Sequence, residues 1–186
     1  MKFEKGEVAR VVLATLMGGV IVVAAASVPG IAQALYPFLR KKHPWAQRRS
    51  LENALRILQK RREVELATRN GEEILLITER GRQRIRKFEL ERMQLGTPTK
   101  WDRHWSVILF DIPETKKTAR DALRRKLNHL GCLQFHKSVF VHPARCEDEV
   151  DFITELFQIG QYVTVFRTPS LGRQEHRALR HFALAP

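Results

Sequence analysis

Two kinds of residue are scarce in this 186-residue chain, and each scarcity removes a class of protein. Cysteine occurs only at Cys132 and Cys146, too seldom for the disulfide framework of a small secreted domain. The chain therefore reads as intracellular, with a cytoplasmic location. Acidic residues are also few: 20 Asp plus Glu face 33 Lys plus Arg, leaving a net charge of +13. With a pI near 10.4, the first partner to expect is a polyanion, either nucleic acid or an anionic membrane surface. No Gly-rich phosphate loop, Ser/His/Asp set or nucleotide fingerprint is present. An apolar share of 44% supports real cores and 28% charged residues argue against general disorder, so the length fits one ordinary domain or two small ones.

Charge is missing altogether from one segment. Between Val11 and Leu39 no residue is ionisable at neutral pH, and three readings compete for it. As a membrane span, residues 11–28 approach the ~20 residues needed to cross the hydrocarbon core. As a signal peptide, the segment offers "AQA" (32–34) for cleavage, but Glu4 and Glu7 spoil the basic leader. As soluble structure, it is one buried helix, a break at Pro29-Gly30 and a second helix ending in "RKK". Gly18-Gly19 and the many small residues suit close packing against neighbouring helices better than lipid.

Composition shifts at "GTPTK" (96–100), which reads as a linker between two patterned blocks. The expected organisation is a first module over 1–95, a second over 101–168, and a tail with one short helix over 169–186. In the first block, Leu51, Ala54, Leu55 and Leu58 recur at the spacing of a helix with one buried face. Two short alternating runs follow, separated by Asn70-Gly71, a dipeptide that tolerates the positive φ of a tight hairpin turn. Thr78 then stands as the cap of a last helix with Ile85 and Phe88 on its inner side. Three helices, a two-stranded wing and a helix form the order of a winged helix-turn-helix.

The charge lies where such a module would use it. From Arg40 to Arg62 there are nine basic residues against Glu52 alone, a surplus of eight. Opposite Leu51 and Leu58 stand Arg49, Glu52, Asn53, Arg56 and Lys60. Arg and Asn pair bidentately with guanine and adenine edges in the major groove. Arg40, Lys41, Lys42 and Arg48 suit phosphate contacts, and Arg69 beside Asn70 would let the wing reach a phosphate or the minor groove. A basic face beside an anionic membrane is the alternative that charge by itself leaves standing.

The second block reads strand, helix, strand, strand, helix, strand: "HWSVILF", "TKKTARDALRRKLNHLG", "CLQFHKSVFVHP" as one or two strands, "CEDEVDFITELFQIG" and "QYVTVFRT". Ala119, Ala122, Leu123, Leu127 and Leu130 share one side of the first helix, which Gly131 ends. Val150, Ile153, Leu156 and Phe157 line the second. That order is a split βαβ, ferredoxin-like sandwich. The first strand is apolar on both faces, with Trp105, Val107 and Leu109 on one and Ile108 and Phe110 on the other. Two helices cover a single sheet face, so the remaining face calls for a partner, and a homodimer is the economical one.

"RHWSVILFDIPETKKTARDALRRKLNHLGCLQFHKSVFVHP" resembles the central domain of the PaaX family, the phenylacetic-acid-degradation repressors, which is itself similar to the CRISPR-associated Cas-two subunit. The "FDIPE" strand end, the "R…LR…L…LG" helix and the "KSVFV" strand carry the likeness over about 101–168. A winged helix in front matches PaaX-like order as well. PaaX-like repressors continue into a further carboxyl-terminal domain, whereas this sequence ends at 186. The resemblance implies a homodimeric regulator of transcription that binds double-stranded DNA and leaves room for a small-molecule effector.

In the CRISPR subunit, the aspartate matching Asp111 is associated with divalent metal and, in some members, with nuclease activity. The resemblance therefore also implies an alternative: a Mg²⁺- or Mn²⁺-dependent endoribonuclease or endonuclease with Asp111 as metal ligand and catalytic group. One carboxylate per chain is a thin ligand set, and Glu114, its only acidic neighbour close in sequence, suits a helix cap. Asp followed by Ile112-Pro113 is also a turn that ends a strand. The favoured reading has no catalytic residue and no cofactor.

Cys132, His136, His142 and Cys146 form a zinc-like set by residue type. On one extended strand, Cys132 and His136 would stand about 13 Å apart at ~3.3 Å per residue, too far for a single ion. The cysteines read as small apolar fillers. Trp101 and Trp105 read as core or interface anchors. The fold expected is α+β: an amino-terminal winged helix-turn-helix followed by a ferredoxin-like domain. A membrane-anchored protein with residues 11–28 as a span stands as a further alternative.

Overall fold

The computed structural model describes residues 6–19, 27–43, 47–96 and 100–184. The chain divides between Glu91 and Arg92 into two compact units, an α+β architecture with antiparallel sheets. Each unit has its own core.

The amino-terminal unit runs α1 (Glu7–Met17), α2 (Val28–Lys42), α3 (Arg48–Lys60), β1 (Val64–Arg69), β2 (Glu72–Ile77) and α4 (Glu79–Arg92). The break expected at Pro29-Gly30 falls elsewhere. Gly18 closes α1, and Ser27 caps α2 by accepting the Gly30 N–H at 3.3 Å. Pro29 sits inside the first turn of α2, where its missing N–H has no intrahelical acceptor to lose. Residues 20–26, in the second half of the candidate span 11–28, lie outside the described residues, as do 97–99 of the candidate linker. Among the described residues no helix is long and apolar enough to cross a membrane.

One core joins these elements. Val12, Leu13, Ile31, Leu35, Leu51, Leu55, Leu58, Leu75 and Ile85 are all buried in it, with Phe88 packed at its margin. Arg69 pairs with Glu72 across the hairpin, and Asn70 (φ 55°) and Gly71 (φ 81°) supply the two left-handed residues of its turn. Thr78 does cap α4: its Oγ1 accepts the Gly81 N–H at 3.2 Å and donates to the Arg62 carbonyl at 2.8 Å. Glycine at 81 is obligatory, because an added Cβ would stand 2.1 Å from the Glu63 carbonyl oxygen. Below that contact the buried Glu63 carboxylate forms an ion pair with Arg84. The root of the hairpin is thus pinned to α4 by backbone, hydroxyl and charge together.

The carboxyl-terminal unit runs β3 (Trp105–Phe110), α5 (Lys117–His129), β4 (Leu133–His136), β5 (Val139–His142), α6 (Glu147–Leu156), β6 (Val163–Thr168) and α7 (Glu175–His181). Its strands lie in the order β4-β5-β3-β6, all neighbours antiparallel, which is the connectivity of a split βαβ sandwich. Gly131 (φ 82°) ends α5: its N–H reaches the Asn128 carbonyl and the Cys132 N–H reaches Leu127, each at 3.0 Å. Leu123, Leu127, Val150 and Ile153 are buried with Ile108, Phe110 and Phe140.

The opposite sheet face is not wholly bare, which corrects the expectation of a face left uncovered within the chain. Trp105, Val107, Phe135 and Val141 are buried there beneath Ala178 of α7, with Trp101, Leu179 and Phe182 alongside. Trp105 is the anchor: fully buried, its ring centroid is 4.8 Å from that of Trp101, and its indole N–H donates to Glu175 at 3.0 Å. Farther along the same face, Leu109 and Phe166 remain 45% exposed.

Candidate nucleic-acid interface

Helix α3 buries Leu51, Ala54, Leu55 and Leu58, so the rest of its circumference must face outward. Arg49, Asn53, Arg56 and Lys60 are all exposed. Their spacing of four, three and four residues places them on one stripe about 16 Å long at 1.5 Å per residue. Glu52, the only acidic residue of the helix, is half-buried and accepts from Arg48 Nε at 3.3 Å. That pairing removes the one negative charge from competition with the stripe. Among the described residues, no hydrogen bond or ion pair occupies Arg49, Arg56 or Lys60.

The start of α3 adds to the positive field. Gln47 stands at the cap position without a side-chain hydrogen bond, and no acidic residue occupies the first turn. Free backbone N–H groups, the helix dipole and exposed Arg48 and Arg49 all favour an anion there. Arg40 and Lys41 are exposed on the last turn of α2, where Lys42 ends the helix. Arg69 is exposed at the hairpin tip beside Asn70. The residues proposed from sequence thus fall on α3, the end of α2 and the hairpin of one unit.

Three cations were not among them. Arg61, Arg62 and Arg80 join Lys60 and Ile57 around a concavity of about 580 Å³ at the end of α3. Arg62 has φ 55° and Arg80 lies on a different element, so only the pinned hairpin root brings them together. Ile57 was also missed: it is 47% exposed, beside Arg56 and Lys60. An apolar residue on a basic stripe is the available signal, since a thymine methyl is its natural counterpart in the major groove.

At the other candidate position, Asp111 is exposed just past β3, and its backbone N–H donates to the Tyr162 carbonyl at 2.9 Å. The turn after it is held by Arg120, whose Nη1 donates to the Ile112 carbonyl at 3.1 Å and whose Nη2 donates to Glu114 at 2.7 Å. Hydrogen bonding from Arg120 holds the Glu114 carboxyl below its ordinary range. Glu114 thus engages a side chain of α5, where the sequence suggested a helix cap. Asp111 and Glu114 share a pocket with Arg120, Arg124 and Lys137. Among the described residues no cluster of three or more His, Cys, Asp or Glu side chains is placed to hold a metal ion.

The four residues of the zinc-like set lie apart in role. Cys132 and Cys146 are buried, and burial pushes their thiols up to about 12 and about 11. His142 is buried and burial lowers its pKa, whereas His136 is exposed.

The fold and site together define an α+β protein with a basic helical stripe on one unit and a four-stranded antiparallel sandwich as the other. Comparison adds one finding on the sandwich: residues 98–180 are similar to the family model described as the PaaX protein central Cas2-like domain. No curated protein matches the chain.

Proposed function

We propose that this protein is a PaaX-like transcriptional regulator that binds double-stranded DNA as a homodimer. In this reading the amino-terminal unit acts as a winged helix-turn-helix, with α3 in the major groove and the β1–β2 hairpin as the wing. The observation that carries the proposal is the exposed stripe of Arg49, Asn53, Arg56 and Lys60, whose cations have no partner among the described residues. Arg40, Lys41, Lys42, Arg48 and Arg69 would fix register through phosphates, and Arg61, Arg62 and Arg80 would extend that contact. The sandwich would set the spacing of two readers, with Leu109 and Phe166 within the dimer contact.

A gel-shift titration on double-stranded DNA at two salt concentrations, with Mg²⁺ present, tests this. Retarded, intact DNA whose binding weakens steeply with salt is the expected result. DNA that neither shifts nor shortens overturns it. Shortened DNA would instead assign the metal-dependent cleavage to Asp111, and Asp111→Ala should then abolish it.

A further inference from the structure

A buried donor atom without an acceptor is uncommon, because leaving it unmet is costly. Among the described residues the carboxyl-terminal unit has two, one helical turn apart on α5: the Nε atoms of Arg120 and Arg124 are buried and meet no hydrogen-bond acceptor. Both residues line one pocket of about 260 Å³, together with Asp111, Ile112, Glu114, Lys137 and Ser138. Neither guanidinium is free to swing. Arg120 is tied to the Ile112 carbonyl and Glu114, while Arg124 donates through Nη2 to the Lys137 carbonyl at 2.7 Å and lies 5.7 Å from the Phe110 ring centroid. Both guanidinium groups are therefore held in place at the pocket before any ligand arrives.

The charge of the pocket favours an anion. Three cations face two carboxylates, and the Glu114 carboxylate is already shared between Arg120 at 2.7 Å and Lys117 at 3.7 Å. Its volume is at the small end of ligand pockets, enough for a charged head group with little attached to it. We propose that this pocket is a binding site for a small oxyanion ligand, a phosphate or carboxylate group held by Arg120 and Arg124 with Lys137 and the Ser138 hydroxyl. Ligand binding there would lock the turn after β3 onto α5. The inference concerns this unit alone and does not depend on DNA recognition by α3.

Inorganic phosphate and acetate are the probes, and the arginine Nε–H resonances of the full-length protein are the readout. Arg120→Lys and Arg124→Lys assign the two signals. Saturable shifts of both with phosphate, with acetate or with each anion support the site, and the anion bound more tightly identifies the head group. Arg124→Gln should weaken that binding about tenfold or more, while Arg56→Gln should leave it unchanged. Absence of any shift in either Nε–H signal overturns the proposal. It also fails if Arg56→Gln abolishes binding while Arg124→Gln does not, because the anion then sits on the amino-terminal unit. Shifts produced by a short oligonucleotide but by neither small anion would make the pocket a nucleic-acid contact and likewise overturn it.

Discussion

Helices α3 and α5 have the same length, 13 residues, and similar numbers of arginines, yet they spend them differently. On α3, Arg49 and Arg56 project from the side opposite the buried leucines and make no hydrogen bond or ion pair among the described residues. On α5, Arg120 and Arg124 reach the Ile112 and Lys137 carbonyls, and Lys126 is buried. Net charge hardly separates the helices, at +3 for α3 and +4 for α5. What separates them is whether carbonyl oxygens lie within reach: α5 packs beside two chain reversals that expose such groups, whereas Arg49 and Arg56 of α3 meet none among the described residues. A cation left in water is available to a large partner, whereas one tied to its own fold serves only a ligand that reaches it where it is held.

The comparison can be broken or sharpened by substitution. The largest effect is expected at the hairpin root, which holds α3 in its place. Gly81→Ala drives a methyl group to 2.1 Å from the Glu63 carbonyl oxygen and 2.8 Å from Ile77 Cγ1, so stability should fall by about 3 kcal/mol or more. Urea denaturation followed by far-ultraviolet circular dichroism should show that loss, while Trp101–Trp105 fluorescence in a Trp45→Phe background keeps its midpoint. An unshifted first transition would mean that α4 can move away at little cost.

Arg56→Ala should cost about 1–3 kcal/mol of affinity on a specific DNA site and leave unfolding unchanged within about 0.5 kcal/mol. If Arg56 touches phosphate alone, the loss will be uniform across sequences. Unaltered affinity on every DNA tested would remove α3 from the interface. Arg120→Ala should behave oppositely, lowering the stability of the carboxyl-terminal unit by about 1 kcal/mol through the orphaned Ile112 carbonyl. DNA affinity equally reduced in both variants would dissolve the distinction between the helices.

The smallest effect concerns pH. The Trp105 indole N–H, with Ser170 and the Leu171 amide, holds the Glu175 carboxyl below its ordinary value of 4.5. Because the folded-state pKa is the lower one, this group contributes stability that is present above 4.5 and is lost as pH falls through the folded value. Glu175→Gln should therefore flatten the acid limb of a melting-temperature profile below about pH 4.5. A profile parallel to that of the unaltered protein would show that Trp105 does not distinguish the carboxylate from the amide.

Much of this was legible in the sequence wherever a local rule suffices. Asn70-Gly71 announces its hairpin because few other pairs accept two positive φ angles, and Thr78 and Gly131 announce a helix start and a helix stop by chemistry confined to one turn. The stripe of α3 is legible for the same reason, since its buried leucines fix its exposed side. Pro29 misled because proline signals both a break and a first helical turn. Arg61, Arg62 and Arg80 were not recognisable as one cluster, because the contact that gathers them spans two elements. Nor did residues 169–186 advertise that Ala178, Leu179 and Phe182 would shield part of the sheet.

By itself, then, the sequence determined the order of elements, the register of the turns, the charge surplus and which side of each helix turns inward. These depend on backbone preferences and on the periodicity of apolar residues, both of which act over a few positions. Only the tertiary structure decided which arginines are free, why residue 81 must lack a side chain, and that two guanidinium groups of α5 close on one small pocket. Those outcomes depend on which carbonyls, rings and carboxylates from distant segments arrive within a few ångströms, a matter of packing that no local pattern encodes.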